Sequence, residues 1–224
     1  MKSPRVLILL NGELGDPAAA RRAAKGALVL CADGGLRHAL RLRLRPDFVV
    51  GDMDSLPRRV PPLPGTTFLC DFDLDRSDFQ KALDLARRLG ARSASIAGNA
   101  GGRLDHRLAA FAAAERFITS PRPPRGRGAG GEGSRRPRLE FIDEGRAFPA
   151  GPGLHRLDCI KGETVSLLPS TPAALVTTRA LAFALRRTRL PRGTRGLSNT
   201  ALTRRVSVRV HRGLLWIVRP DKSI

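Results

Sequence analysis

The feature that most limits the fold of this chain is an early alternation of apolar runs with helix-compatible segments. Residues 5–10 and 27–31 are apolar runs, and residues 17–25 between them read as a helix. A strand covered on both faces shows a continuous hydrophobic run rather than alternation, so this opening predicts a βαβ unit in a parallel sheet. The alternation continues with a helix at 36–44, a strand at 47–50, a helix at 79–89, a strand at 92–97 and a helix at 104–118. Within 79–89, Phe79, Ala82, Leu83, Ala86 and Leu89 recur at helical spacing, and Ser77 with Gln80 forms a capping-box pattern at its start. Together these segments predict a Rossmann-like open α/β sheet domain over residues 1–120.

Residues 121–138 break the pattern with an Arg/Gly/Pro-rich stretch that cannot bury a core, so a flexible surface insertion is expected there. Short β-type runs follow at 139–142, 164–168, 174–178, 206–210 and 214–218, punctuated by Gly and Pro. They predict a smaller all-β sandwich domain over residues 139–224.

Composition narrows the function classes. The formal net charge of +20 invites a polyanionic partner. The positive charge is nearly all arginine, however, and travels with abundant Ala, Gly and Pro, residues that share GC-rich codons, so genome composition accounts for it without a polyanion. Tyrosine is absent and aromatic residues make up 4% of the chain, which leaves few platforms for base stacking. A nucleic-acid-binding protein is therefore the weaker alternative. Cys31, Cys70 and Cys159 are scattered and odd in number, which suits neither a disulfide framework nor a zinc site. No apolar stretch reaches membrane-spanning length and the start lacks a signal-peptide pattern, so a cytoplasmic location without a membrane partner is expected.

The chemistry gathers where the predicted parallel strands end. The run at 27–32 leads into Asp33-Gly34-Gly35, and the run at 47–50 leads into Gly51-Asp52-Met53-Asp54-Ser55. Open α/β sheets bind ligands beyond the carboxyl ends of their strands, so these acids are expected to share one crevice. Asp52 and Asp54, two apart in extended backbone, point to the same side. A further group, Asp71, Asp73, Asp75 and Asp78, precedes and opens the helix at 79–89. So many carboxylates repel unless a cation joins them, and hard oxygen donors suit Mg²⁺ carried with nucleotide phosphates. Taken singly, Asp33 also suits a turn and Asp78 a helix start. Residues 98–106, Gly-Asn-Ala-Gly-Gly-Arg-Leu-Asp-His, again join a strand to a helix. Glycines there let backbone N–H groups approach phosphate, and Arg103 offers a planar fork to phosphoryl oxygens. Lys81, one turn into the helix, reads either as a second phosphate contact or as a solvated lysine.

In order along the chain, Ala32-Asp33-Gly34-Gly35, Gly51-Asp52-Met53-Asp54-Ser55, Asp75-Arg76-Ser77-Asp78 with Lys81-Ala82-Leu83, and Gly101-Gly102-Arg103-Leu104-Asp105-His106 resemble the motifs of the thiamine diphosphokinase (thiamine pyrophosphokinase) family. Ser166-Leu167-Leu168-Pro169 and Gly196-Leu197-Ser198-Asn199 resemble that family's C-terminal motifs. The resemblance spans nearly the whole chain apart from the insertion. It implies Mg²⁺-dependent transfer of diphosphate from ATP to thiamine, an α/β catalytic domain, a C-terminal β-sandwich and a homodimer whose active site lies at the subunit interface. It further implies that Asp33, Asp52, Asp54, Asp75 and Asp78 surround the metal, with Gly34, Gly35, Gly101 and Gly102 at ATP. Asp78, Lys81, Arg103 and Asp105 then act near the transferred phosphates, with Asp105 orienting or deprotonating the acceptor hydroxyl, while Ser198 and Asn199 lie by thiamine. Phe183 stands where some relatives carry a tryptophan that stacks on thiamine; as a core aromatic it has a second reading. The chain departs from the family pattern at Ala110, where asparagine is expected, at Ser77 in place of threonine and at Thr200 in place of an acid. A diphosphokinase acting on a pterin alcohol shares the acidic motifs and stays open as an alternative.

Overall fold

The computed structural model describes residues 3–120 and 138–221. The chain divides into two compact units, Met1–Glu144 and Gly145–Ile224. The expected insertion at 121–138 lies outside the described residues except for Arg138, where a strand begins.

The first unit holds β1 (Arg5–Leu9), β2 (Leu28–Ala32), β3 (Phe48–Gly51), β4 (Thr67–Cys70), β5 (Ser93–Ala97) and β6 (Arg138–Phe141). Their order is β6-β5-β1-β2-β3-β4, and every neighbouring pair is parallel. Helices α1 (Pro17–Ala24), α2 (Leu36–Leu42), α3 (Asp78–Arg88) and α4 (Leu104–Thr119) supply the crossovers. Strands β2 to β4 run outward on one side of β1, whereas β5 and β6 lie on the other. The strand order therefore reverses beside β1, the place where such sheets open a ligand crevice.

Two elements differ from the sequence reading. The run at 139–142, expected in the β domain, instead pairs in parallel with β5, because Leu139 and Phe141 register with Ala94 and Ile96. Phe141 meets Phe79 of α3 and Phe111 of α4, with ring centroids 6.0 and 5.0 Å away, so its burial depends on the helices of the first unit. Strand β4 has no counterpart in the predicted elements; it forms the sheet edge, is largely exposed and carries only the short apolar run Phe68-Leu69-Cys70.

On one sheet face, Leu7 and Leu9 pack with Ala20 of α1 and with Leu36, Ala39 and Leu42 of α2. Each leucine so buried contributes about 1.5–3 kcal/mol. The predicted capping box is present at α3: the Ser77 hydroxyl accepts from the Gln80 backbone N–H, and the Gln80 side chain accepts from that of Ser77. Such a cap contributes about 1 kcal/mol and fixes where the helix begins, hence where Asp78 stands.

Among its described residues the second unit has strands and no helix: β7 (Gly145–Ala150), β8 (Gly153–Asp158), β9 (Thr164–Pro169), β10 (Ala173–Arg179), β11 (Thr188–Pro191), β12 (Asn199–Thr200), β13 (Arg205–Arg212) and β14 (Leu215–Pro220). Antiparallel pairing joins β12-β9-β14-β7 and, separately, β11-β10-β13-β8. Val165, Leu167, Leu215 and Ile217 from the first group share one apolar core with Leu157, Val176, Leu190, Val206, Val208 and Val210 from the second. Alternation along β13 shows this plainly, since Val206, Val208 and Val210 point inward and Arg205 and Arg209 outward. No described helix is long and apolar enough to cross a membrane.

Candidate active site

The acids of the first unit converge at the carboxyl edge of its sheet. Asp33 follows β2, and Asp52 and Asp54 follow β3; one carboxylate oxygen from each lies within 4.8 Å of the other two. Asp33 sits at φ 41° in a short 3₁₀ turn over Asp33–Gly35 and is only 2% exposed. The turn reading holds, and the turn leaves the carboxylate buried beside those of Asp52 and Asp54. Gly35 lets that turn lie directly on β1, since a Cβ there would stand 2.0 Å from the Leu9 carbonyl oxygen. Gly51 is equally constrained, because at φ +155° a Cβ would fall 2.8 Å from Cβ of Asp33 and 3.0 Å from Cγ of Asp78. A side chain at Gly51 would push the acids apart.

Asp33 Oδ2 accepts from the Ser55 N–H at 3.0 Å, while Oδ1 is buried and has no hydrogen-bond partner among the described residues. Burial raises the Asp33 pKa to about 6, and the nearby Asp78 and Asp54 carboxylates add to the rise against the pull of the Ser55 N–H. A buried oxygen without a donor, beside two further carboxylates, fits a hard cation such as Mg²⁺. Asp78 stands close by, its pKa raised first by burial and further by Asp52 and Asp54, with Lys81 pulling it down. Lys81 is 3% exposed and donates to Asp78 Oδ1 at 3.2 Å and to the Asp71 carbonyl at 2.6 Å. The solvated reading of this lysine is therefore overturned; its ammonium braces the acids from within.

The remaining acids are held apart from this group. Arg76 pairs with Asp71 at 2.9 Å, Asp73 at 2.7 Å and Asp84 at 3.4 Å. Asp75 is exposed and, with Asp73 and Asp84, lines a separate cleft of about 480 Å³ between α3 and α4. It does not join the Asp33, Asp52 and Asp54 oxygens.

The glycine-rich turn after β5 leads to Arg103 and Asp105, both exposed, which pair with each other at 2.5 Å. That hydrogen bond holds the Asp105 carboxyl down at about 2, so the carboxylate is a weak base and is better suited to orienting a neighbour. Opposite this turn, Glu13 of the loop after β1 forms an antiparallel bridge with Ala100.

In the second unit, the residues of the C-terminal motifs interlock. Ser198, at φ 55°, donates its N–H to the Ser166 hydroxyl at 3.0 Å. The buried Asn199 side chain accepts from the Phe183 N–H at 2.9 Å and donates to the Phe183 carbonyl at 2.8 Å. Phe183 itself is 73% exposed, which removes its reading as a core aromatic. Asn199 is thus spent on holding the loop that displays Phe183, while Ser198 remains exposed.

Residues 20–121 match the family model described as thiamin pyrophosphokinase, catalytic domain, a span that includes every acid of the cluster. Over this span the chain is similar to the catalytic domain of thiamine pyrophosphokinases. Solved thiamine pyrophosphokinases share its fold. The Bacillus subtilis structure superposes with a TM-score of 0.80 at 19% identity, covering 97% of this chain and 99% of that one. For the Geobacillus thermodenitrificans structure the values are 0.80 and 21%, with 98% of each chain covered. The Candida albicans structure gives 0.73 and 16%, covering 98% of this chain and 90% of that one. No curated protein matches the chain in sequence.

The metal-free acidic site carries a pH dependence that can be measured. The folded-state pKa of Asp33, about 6, exceeds the ordinary aspartate value of 3.8, so between those values the folded state keeps a proton that the unfolded state has released. Stability is full below the lower value, falls as pH rises through this window and stays reduced above it, by on the order of 3 kcal/mol. In chelator, Asp33→Asn is expected to melt above the wild type at about pH 8, with the gap closing toward about pH 4. Thermal melts across pH check this, and a gap that ignores pH would contradict it.

Proposed function

We propose that this protein is a thiamine diphosphokinase that transfers diphosphate from ATP to the primary hydroxyl of thiamine. The observation that carries the reading is the convergence of Asp33, Asp52 and Asp54 oxygens, with Asp33 Oδ1 buried and unpartnered, inside a span matched by the family's catalytic-domain model. In the reaction the acceptor oxygen bonds to the β-phosphorus, the bond from that phosphorus to the α–β bridging oxygen breaks, and AMP leaves with the electron pair. The hydroxyl proton passes to solvent.

Asp33, Asp52 and Asp54 would hold Mg²⁺, which when bound neutralises charge on the nucleotide phosphates. Lys81 keeps Asp78 ionised beside them. The Gly101-Gly102 turn offers backbone to phosphate, and Arg103 exchanges its Asp105 partner for phosphoryl oxygens, a substitution that the exposure of the pair permits. Asp105, freed in this way, orients the acceptor hydroxyl. On the second unit, Phe183 stacks on the thiamine ring system and Ser198 stands beside it; the working form is a homodimer with the active site at the subunit interface.

The deciding test incubates the protein with Mg²⁺, ATP and either thiamine or a pterin alcohol, then identifies AMP and the diphosphate ester. Thiamine diphosphate is expected. A pterin diphosphate instead would keep the acidic site and replace the acceptor, and AMP from neither would sink the reading. Phe183→Ala is expected to raise KM for thiamine roughly 2- to 10-fold, the range for one aromatic contact. Because the ring is exposed, the melting temperature should stay unchanged.

A further inference from the structure

Asp143 lies two residues past the end of β6 and is 7% exposed, yet it belongs to none of the motifs above. Its carboxylate accepts three backbone hydrogen bonds and no side-chain one among those described. Oδ1 takes the N–H groups of Gly15 at 3.1 Å and Gly98 at 3.0 Å, and Oδ2 takes that of Asn99 at 2.7 Å. Gly15 lies in the loop after β1, whereas Gly98 and Asn99 begin the turn after β5. These two loops depart in opposite directions, because the strand order reverses between β1 and β5. They are further joined by Gly12 N–H to the Gly98 carbonyl at 2.8 Å and Glu13 N–H to the Ala100 carbonyl at 2.7 Å.

We propose that Asp143 is a positioning residue that fixes the Gly98–Gly102 turn, and with it the start of α4, in the shape that receives nucleotide phosphate. The inference rests on the diphosphokinase reading and adds to it the group that shapes its phosphate turn. Three donors converge on one side chain, and only a carboxylate offers acceptors alone to all three. Asparagine would set an amide N–H against the Asn99 N–H while keeping its carbonyl for Gly15 and Gly98. Alanine would release all three.

The test uses the full chain and its Asp143→Asn and Asp143→Ala variants with two readouts. Amide hydrogen exchange is measured at Gly15, Gly98 and Asn99 against the core amides of Leu7 and Ile96. In Asp143→Asn, protection should fall at Asn99 and persist at Gly15 and Gly98; in Asp143→Ala it should fall at all three, with the core amides unchanged. KM for ATP should rise about 10-fold in Asp143→Asn, the loss of one charge-assisted hydrogen bond, while KM for thiamine stays within about 2-fold. Unchanged ATP and thiamine constants despite lost protection, equal rises in both, or protection lost equally in the core, would overturn the positioning role. Wild-type protein that forms no thiamine diphosphate would instead sink the proposed reaction. The exchange pattern and Mg²⁺·ATP affinity measured by calorimetry would still decide the role of Asp143.

Discussion

Replacing Asp52 and Asp54 together with asparagine is expected to lower AMP formation by about 10³-fold while leaving the fold intact. The local geometry explains why the fold survives. Asp52 Oδ1 accepts from the Asp54 N–H at 3.3 Å, and Asp54 Oδ1 accepts from the Ser55 hydroxyl at 2.8 Å. An asparagine carbonyl can serve both bonds. What the exchange removes is two negative charges within 4.8 Å of Asp33, which repel one another without a cation and, in the proposed function, hold Mg²⁺. The metal-free variant should therefore melt no lower than the wild type, whereas the rise in melting temperature that Mg²⁺ gives the wild type should vanish. Assays at saturating Mg²⁺ and ATP, beside melts with and without the ion, separate the two effects. An active double variant, or an undiminished Mg²⁺ shift, would remove the metal role from these residues.

The cluster was legible because it obeys a rule of topology. Asp33, Asp52 and Asp54 follow apolar runs that are recognisable as parallel strands, and such strands end on one side of the sheet. What stayed hidden depends on which side chains meet. Asp71, Asp73 and Asp75 look equivalent to Asp78 in the sequence, but Arg76 gathers Asp71 and Asp73 with Asp84, a partner one residue string cannot assign. Asp143 carries the same strand-end signal as Asp33. It is obscured because its strand lies beyond the 121–138 stretch, and a parallel partner so distant in sequence leaves no local mark. Phe183 is ambiguous for another reason: an aromatic flanked by alanine and leucine reads as core, whereas Asn199 holds its backbone in a loop where the ring is exposed.

Lys81 shows how burial can choose between readings that spacing leaves open, and it yields a prediction that a surface lysine would fail. Its ammonium is 3% exposed, bonded to the Asp71 carbonyl and to Asp78. Lys81→Met keeps the stem but removes the charge, leaving both acceptors without their donor, so stability should fall by about 1–3 kcal/mol. Asp78, whose pKa burial already raises and Lys81 counters, should climb further. A carboxylate that must be ionised to work then requires a higher pH, so the acid limb of the rate profile should move upward, with activity near neutrality falling on the order of 10²-fold. Lys81→Arg is the sharper test. A solvated lysine or a phosphate contact at the surface would tolerate arginine, whereas this slot holds one slim stem between backbone and carboxylate. The guanidinium, planar and larger, should fail to restore either stability or activity. Rescue by arginine would return Lys81 to the surface role that the sequence alone allowed.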